Sequence, residues 1–138
     1  MKYRIIIADD EFFIRQKLKL IIHYEELCLE LTGDFENGRE VIDFLKTDSA
    51  DIILLDIRMP HVSGLDVARY VSENHPEMKV VILSGYNDFE YARTTLRYGV
   101  SDYLLKPVNE DDLNTVLKKC VDMLNLMHQS KARMDSLT

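Results

Sequence analysis

The sequence predicts an α/β fold in which five parallel strands alternate with five helices to form a doubly wound sheet. Three of the five short apolar runs, IIIA, IILL and VVIL, are continuously apolar, which is typical of strands that are covered on both faces. Between the runs, apolar residues recur at helical spacing. The predicted strands cover residues 3–8, 29–33, 51–56, 80–84 and 102–105.

The five predicted helices lie after the strands, and two of them have recognisable ends. In the fourth helix, residues 87–98, Asn87 and Glu90 have the spacing of an N-cap and the N3 position, and Gly99 suits its C-terminus. Asn109 is placed to cap the fifth helix, whose apolar residues follow an i, i+3, i+4, i+7 stripe. The apolar positions that mark the first, second, third and fifth helices are, in this order, Ile14, Leu18, Ile21 and Ile22; Val41, Ile42 and Leu45; Leu65, Ala68 and Val71; and Leu113, Val116, Leu117, Cys120, Val121 and Leu124.

Length, charge and cysteine content exclude several classes of protein. The 138 residues suit one domain with its own core, and no apolar run approaches the roughly 18 residues of a membrane span. The first apolar run is too short for a secretory signal, so we expect a cytoplasmic protein. A net charge of −7 disfavours nucleic-acid binding by this chain, because Lys and Arg supply most of that affinity. Cys28 and Cys120 lie outside any CxxC motif, which argues against a disulfide or a zinc site.

Polar residues stand at the carboxyl ends of four predicted strands. Asp9 and Asp10 follow the first strand, Asp56 ends the third, Ser84 ends the fourth and Lys106 follows the fifth. Because ligands of open α/β sheets bind outside the carboxyl ends of the strands, we expect these side chains to converge. Carboxylates that lie so close repel each other, and a hard divalent cation relieves the repulsion. An oxygen-only ligand set with room for water and phosphate oxygens favours Mg²⁺.

Each of these residues has a structural alternative when it is considered alone. Asp10 is also a good helix cap, and Asp56 is also an ordinary solubilising strand end. Ser84 with Gly85 is typical of a turn, and most X-Pro bonds such as the one after Lys106 are trans. The occurrence of all of them at four strand ends favours a functional site over a coincidence.

Four segments of the chain closely resemble response-regulator receiver domains, and the resemblance extends from Lys2 to about residue 126. It implies a flavodoxin-like sheet with the strand order 2-1-3-4-5. Within that family, SGYNDFEYA and DYLLKPV are most similar to receivers that are joined to AraC-type helix-turn-helix domains. Residues 1–127 are then the receiver, and residues 128–138 begin a linker to an absent output domain. The matching segments are IIIADDE (5–11), LLDIRMPHVSGLD (54–66), LSGYNDFEYA (83–92) and GVSDYLLKPV (99–108).

The resemblance implies that Asp56 is the phosphorylation site. It would receive a phosphoryl group from the phosphohistidine of a sensor histidine kinase. Asp9 and Asp10 would lie at a bound Mg²⁺, and Asp10 would be the direct ligand beside Asp56 and the backbone carbonyl of Arg58.

The resemblance also assigns the residues that stabilise the phosphoryl group and transmit the switch. Ser84 would hydrogen-bond one phosphoryl oxygen, and backbone N–H groups near Gly85 would bind the group as well. Lys106 would neutralise another oxygen, and its peptide bond to Pro107 is expected to be cis. Tyr103 occupies the position of the switch aromatic, which is expected to point outward before phosphorylation and to move inward afterwards.

The predicted function is therefore phosphorylation-dependent control of a C-terminal output domain, which is expected to bind DNA and regulate transcription. Receivers of this family commonly pair through the face of the fourth helix, fifth strand and fifth helix, so a homodimer is expected on phosphorylation. A receiver with a non-DNA output or a stand-alone role is the alternative. No turnover of an external substrate is expected, because the first strand lacks the Asp-x-Asp signature of a phosphoaspartyl hydrolase. A nucleotide-binding module is not expected either, because the sequence contains no GxGxxG or GxxxxGK[ST] motif after a predicted strand.

Overall fold

A computed structural model describes residues 2–136 (for residues 86, 89, 91, 92, 135 and 136, the backbone only). It contains a five-stranded parallel sheet in the order β2-β1-β3-β4-β5. The predicted fold class and strand order are therefore confirmed. The strands are β1 (Tyr3–Ala8), β2 (Leu29–Phe35), β3 (Ile52–Asp56), β4 (Lys79–Ser84) and β5 (Asp102–Leu105).

Helices follow the strands on both faces of the sheet. A one-turn helix, Tyr24–Leu27, which the apolar spacing did not predict, precedes β2. Two 3-10 turns, Tyr86–Asp88 and Leu96–Tyr98, flank the short fourth helix. The helices are α1 (Phe12–Ile21), α2 (Gly38–Thr47), α3 (Gly64–Asn74), α4 (Phe89–Thr95) and α5 (Glu110–Ser136).

The core consists of two apolar layers, one on each face of the sheet. Alternate residues of the central strands point to opposite faces, so Ile5 and Ile7 pack with Leu18 of α1 and Leu117 of α5, whereas Ile6 packs beneath α2 and α3. Both layers consist of residues that are almost fully buried. This arrangement explains why the three central strands are continuously apolar, and it leaves the carboxyl edge of the sheet free for polar side chains.

The predicted start of the fourth helix is wrong by two residues. Asn87 lies in a 3-10 turn, and α4 begins at Phe89 with Asp88 as its N-cap residue, without a side-chain cap hydrogen bond. Gly99 has the left-handed backbone expected of a C-terminal glycine, with φ of 67°, but it ends the 3-10 turn Leu96–Tyr98, because α4 itself ends at Thr95. The Asn109 cap is also confirmed, because its Oδ1 accepts a hydrogen bond from the Asp112 N–H at 3.1 Å.

Helix α5 continues through the segment that the sequence assigns to the start of a linker. It runs without a break from Glu110 to Ser136, so the predicted boundary after residue 127 does not coincide with the end of an element. Beyond that boundary, the His128 ring stacks on Tyr3 at 5.8 Å, and Lys131 pairs with Glu77 at 3.6 Å. Within residues 2–136, no helix has the length and apolarity needed to cross a membrane.

Candidate functional site

Three carboxylates meet at the carboxyl edge of the sheet, as predicted. Strands β1 and β3 are neighbours, so Asp9 and Asp10, just after β1, come close to Asp56 at the end of β3. Asp9 is fully buried, Asp56 is 4% exposed and Asp10 is exposed. One oxygen from each of the three carboxylates lies within 4.8 Å of the others. The cluster therefore has a buried floor and one carboxylate that faces solvent.

Lys106 supplies the positive charge of this cluster. Its Nζ lies 2.8 Å from Asp9 Oδ2 and 3.2 Å from Asp56 Oδ1. The Lys106 backbone N–H donates to the Ser84 carbonyl at 2.8 Å, which attaches the end of β5 to the end of β4. The peptide bond between Lys106 and Pro107 is cis, the geometry that the resemblance implies.

Burial and like charge make the ionised form of Asp56 unfavourable. Desolvation and the neighbouring Asp9 raise the pKa of Asp56 to about 7, although Lys106 and the Arg58 N–H oppose the shift. Burial alone would lower the pKa of Lys106, but its hydrogen bond to Asp9 and the charges of Asp56 and Asp9 raise it. The single lysine thus leaves negative charge uncompensated among three carboxylates.

Asp9 is positioned by contacts that the sequence did not indicate. Its Oδ1 accepts a hydrogen bond from the Glu11 N–H at 2.9 Å, and its backbone carbonyl accepts one from Arg15 at 2.7 Å. Arg15 in turn forms an ion pair with Asp34 of β2 at 2.7 Å. No local motif marks Arg15, because this pairing depends on the packing of α1 beside the first two strands.

The loop between β3 and α3 approaches the Asp56 backbone very closely. A Cβ on Gly64 would lie 2.3 Å from the Asp56 carbonyl oxygen and 2.7 Å from the Ile57 Cα, so only glycine fits here. The Gly64 N–H donates to the Ile57 carbonyl at 3.0 Å. Ser63 and Asp66 then form a capping box at the start of α3. These contacts hold the backbone on both sides of Asp56.

The other predicted site residues lie at the end of β4 and on β5. Ser84 is 4% exposed and follows Leu83, which is the register partner of Asp56. The Gly85 N–H donates to Asp88 Oδ2 at 3.1 Å. Tyr103 is 50% exposed, so its ring lies on the outer surface of β5. The structure therefore places Ser84 at the end of the strand next to Asp56, with Gly85 directly after it, and leaves Tyr103 exposed on β5.

The donor set of the cluster fits a hard divalent cation. All three side chains offer carboxylate oxygens, and the raised pKa of Asp56 indicates that a further positive charge would be stabilising there. The exposed Asp10 also borders a groove of about 420 Å³. The other residues that line the groove are Ile57, Arg58, Met59, Pro60, Ser63 and Leu65.

The fold and the site together define a doubly wound α/β protein with an acidic, lysine-containing centre at the carboxyl edge of its sheet. The sequence-family model of the response regulator receiver domain matches residues 5–118 of this chain. The chain therefore belongs to the response regulator receiver family.

Sequence relatives include transcriptional regulatory proteins of Bacillus subtilis and Staphylococcus aureus. The chain is 36% identical over 119 residues to the uncharacterised transcriptional regulatory protein YesN of Bacillus subtilis, covering 86% of this chain and 32% of YesN. It is 34% identical over 122 residues to the transcriptional regulatory protein HptR of Staphylococcus aureus, covering 88% of this chain and 48% of HptR. The chain thus spans between a third and a half of the length of these relatives.

Solved structures of isolated receivers have the same fold. The receiver domain of AraT, a response regulator from Geobacillus stearothermophilus, is 31% identical with a TM-score of 0.88, and the match covers 93% of this chain and 99% of that one. A receiver domain protein from Clostridium thermocellum is 29% identical with a TM-score of 0.79, over 91% and 98% of the two chains. These matches cover essentially whole receiver domains.

Proposed function

We propose that Asp56 accepts a phosphoryl group from the phosphohistidine of a sensor histidine kinase. The observation that carries this proposal is the position of the Asp56 carboxylate at the carboxyl end of β3. It is almost fully buried, 3.2 Å from Lys106 Nζ and within 4.8 Å of oxygens of Asp9 and Asp10. A carboxylate nucleophile among groups that can bind phosphate oxygens suits the formation of an acyl phosphate.

In the transfer step, one bond forms and one breaks. An oxygen of Asp56 attacks phosphorus and forms an O–P bond, while the P–N bond to the kinase imidazole breaks. The imidazole nitrogen leaves with the electron pair and takes up a proton. Lys106, Ser84 Oγ and the Gly85 N–H bind the phosphoryl oxygens. Because the protein mainly positions groups and neutralises charge, no turnover of an external substrate is expected, so the chain is not an enzyme in that sense.

Mg²⁺ is the cofactor that suits this site. Asp10, Asp56 and the backbone carbonyl of Arg58 would hold it, with Asp9 at the same centre. When bound, the ion supplies positive charge that neutralises the phosphoryl oxygens and keeps Asp56 ionised at neutral pH.

The phosphoryl group then changes the surface through Ser84 and Tyr103. It brings a charge of about −1.5 to −2 to Asp56, which attracts Ser84 and allows the Tyr103 ring to move inward. A DNA-binding output domain, of the AraC type that the sequence resembles, reads this change. The support for a transcriptional output, rather than a stand-alone role, is that the relatives are named transcriptional regulatory proteins and are at least twice as long as the match.

Pairing of two phosphorylated receivers through α4, β5 and α5 is part of the same proposal. That region carries exposed apolar side chains, because Leu96, just after α4, is 60% exposed, and Tyr103 and Leu105 of β5 are 50% and 45% exposed. Exposed charges of both signs, Arg93 and Asp111 among them, allow a self-complementary contact. Because such pairs are weak and screened by salt, pairing of the isolated chain should be weak. The cytoplasmic location stays a prediction.

The direct test is chemical phosphorylation of the purified chain. With acetyl phosphate and Mg²⁺, intact-mass measurement and peptide mapping should show one phosphate, on the peptide that contains Asp56. The label should be absent in Asp56→Asn. It should form at least about tenfold more slowly in Asp10→Asn or without Mg²⁺, because the cation site is then incomplete.

The matched control is Asp111→Asn, which removes an exposed carboxylate that is not part of the cluster. This variant should be labelled at the wild-type rate. Labelling that persists in Asp56→Asn, or that falls equally in Asp111→Asn, would contradict the assignment of Asp56.

A further inference from the structure

Asp88 connects the two loops that border Asp56. Its Oδ1 forms a close ion pair with Arg58 Nε in the β3–α3 loop, and its Oδ2 accepts the Gly85 N–H at 3.1 Å in the β4–α4 loop. We call these two contacts the Asp88 bridge. Although Asp88 is the N-cap residue of α4, its carboxylate makes no cap hydrogen bond and is directed back to Gly85 instead.

Both partners of the Asp88 bridge are groups that a phosphoryl group on Asp56 would attract. The Gly85 N–H has one hydrogen and already donates it to Asp88. Arg58 follows Asp56 by two residues, and its backbone N–H donates to Asp56 Oδ1 at 3.3 Å. A new dianion at Asp56 would lie two residues from Arg58, and the register places it beside the end of β4, which leads into Gly85.

Because Asp88 is almost buried, the loss of its two partners to a phosphoryl group would destabilise its present position. The Asp88 side chain is only 12% exposed, whereas Arg58 is 60% exposed. An almost buried carboxylate that loses its partners and gains a negative neighbour is strongly destabilised, because desolvation and repulsion act together. To escape this repulsion, the Asp88 carboxylate would have to move toward solvent, which a change in the chain from Gly85 to the start of α4 allows.

We infer that Asp88 is a positioning residue, which holds the β4–α4 loop in the arrangement of this structure by occupying two groups that a phosphoryl group on Asp56 would attract. This inference deepens the proposed function and rests on phosphorylation of Asp56. Phosphorylation exchanges the partners of Gly85 and Arg58, and the released Asp88 carries the loop toward solvent. The Asp88 bridge thus opposes activation until the acyl phosphate forms.

The test compares the affinity of four proteins for beryllium fluoride with Mg²⁺, a stable phosphoryl analogue: wild type, Asp88→Asn, Asp88→Ala and the control Glu90→Gln. Glu90 is an exposed acid two residues further along, so its replacement removes the same charge without touching the bridge. Half-saturation should occur at about three- to tenfold lower concentration in both Asp88 variants, because one charge-assisted hydrogen bond no longer competes. Glu90→Gln should match wild type.

A spectroscopic readout separates this role from a merely structural one. In ¹⁵N–¹H spectra recorded without the analogue, the Gly85 amide signals of wild type and Asp88→Ala should differ. In the presence of the analogue, the two signals should coincide. Asp88 variants that only lose thermal stability, or a shift in half-saturation that also occurs in Glu90→Gln, would overturn the inference. If wild type and both Asp88 variants bind the analogue with equal affinity, the inference about Asp88 is overturned, but the proposed function of Asp56 is not. Failure of wild type to bind the analogue or to label with acetyl phosphate would overturn the proposed function as well.

Discussion

Helices α3 and α4 follow neighbouring strands of the sheet, yet they begin in different ways. At α3, the Ser63 and Asp66 side chains each bond the backbone N–H of the other residue in a capping box. At α4, the N-cap residue Asp88 makes no side-chain cap bond, and 3-10 turns flank the helix on both sides. Since a capping side chain contributes about 0.5–2 kcal/mol, the start of α3 is held more firmly by local interactions.

The glycines of the two loops show the same contrast. Gly64 approaches the Asp56 carbonyl so closely that a Cβ would lie 2.3 Å from it, whereas a Cβ on Gly85 would meet only Asp88 Oδ2, at 3.6 Å. The loop that follows Asp56 is therefore closely packed against backbone. In the loop on the other side, the Asp88 carboxylate bonds the Gly85 N–H and pairs with Arg58, which suits an element that changes conformation when charge is added.

The largest expected effect is on stability in a matched pair of glycine variants. Gly64→Ala should lower the free energy of unfolding by about 3 kcal/mol, because the new methyl group forces backbone apart. Gly85→Ala should change it by less than about 1 kcal/mol, since the added Cβ has ordinary contacts. Urea denaturation followed by far-UV circular dichroism measures both. Equal losses in the two variants would contradict the contrast between the loops.

A smaller effect is expected from removing the charge of Asp56. Its pKa in the folded protein is about 7, above its ordinary value of 3.8, so the folded state binds a proton more tightly than the unfolded state does. The stability that this proton provides is complete below the ordinary pKa and is lost as pH rises to about 7. Asp56→Asn should therefore stabilise the chain by about 1–3 kcal/mol at about pH 8 and by little at about pH 4.

Thermal unfolding of wild type and Asp56→Asn across this pH range, without divalent cations, measures the difference. Asp111→Asn is the control for the loss of an exposed charge and should show no such pH dependence. Added Mg²⁺ should stabilise wild type and reduce the advantage of Asp56→Asn. An advantage that grows toward acid pH would mean that the Asp56 carboxylate is favoured by the fold.

The sequence was sufficient to predict the sheet and most of the site because both depend on local patterns. Continuously apolar runs indicated the central strands, and polar residues at strand ends indicated Asp9, Asp10, Asp56, Ser84 and Lys106. The roles of these residues stay proposals. The structure adds their distances and the cis bond after Lys106.

The features that sequence reasoning missed depend on contacts between distant segments. The spacing of Asn87 and Glu90 suits a helix cap, but the contacts of Asp88 with Arg58 and Gly85 place a 3-10 turn there and delay the helix to Phe89. Contacts of this kind join residues that are distant in the sequence, so they form only when the strands have assembled and no local pattern predicts them.

The contrast between α3 and α4 leads to a direct expectation for hydrogen exchange. If phosphorylation acts through the β4–α4 side, beryllium fluoride with Mg²⁺ should change amide exchange mainly in residues 86–98. Residues 64–74, which begin with the capping box, should change little, because their backbone is fixed independently of the Asp88 contacts.

The decisive measurement is hydrogen–deuterium exchange by mass spectrometry on wild type and Asp56→Asn, each with and without beryllium fluoride and Mg²⁺. The account predicts a change in exchange in residues 86–98 of wild type that is several times larger than in residues 64–74, and no change in either segment of Asp56→Asn. Equal changes in the two segments, or a change that persists in Asp56→Asn, would contradict it.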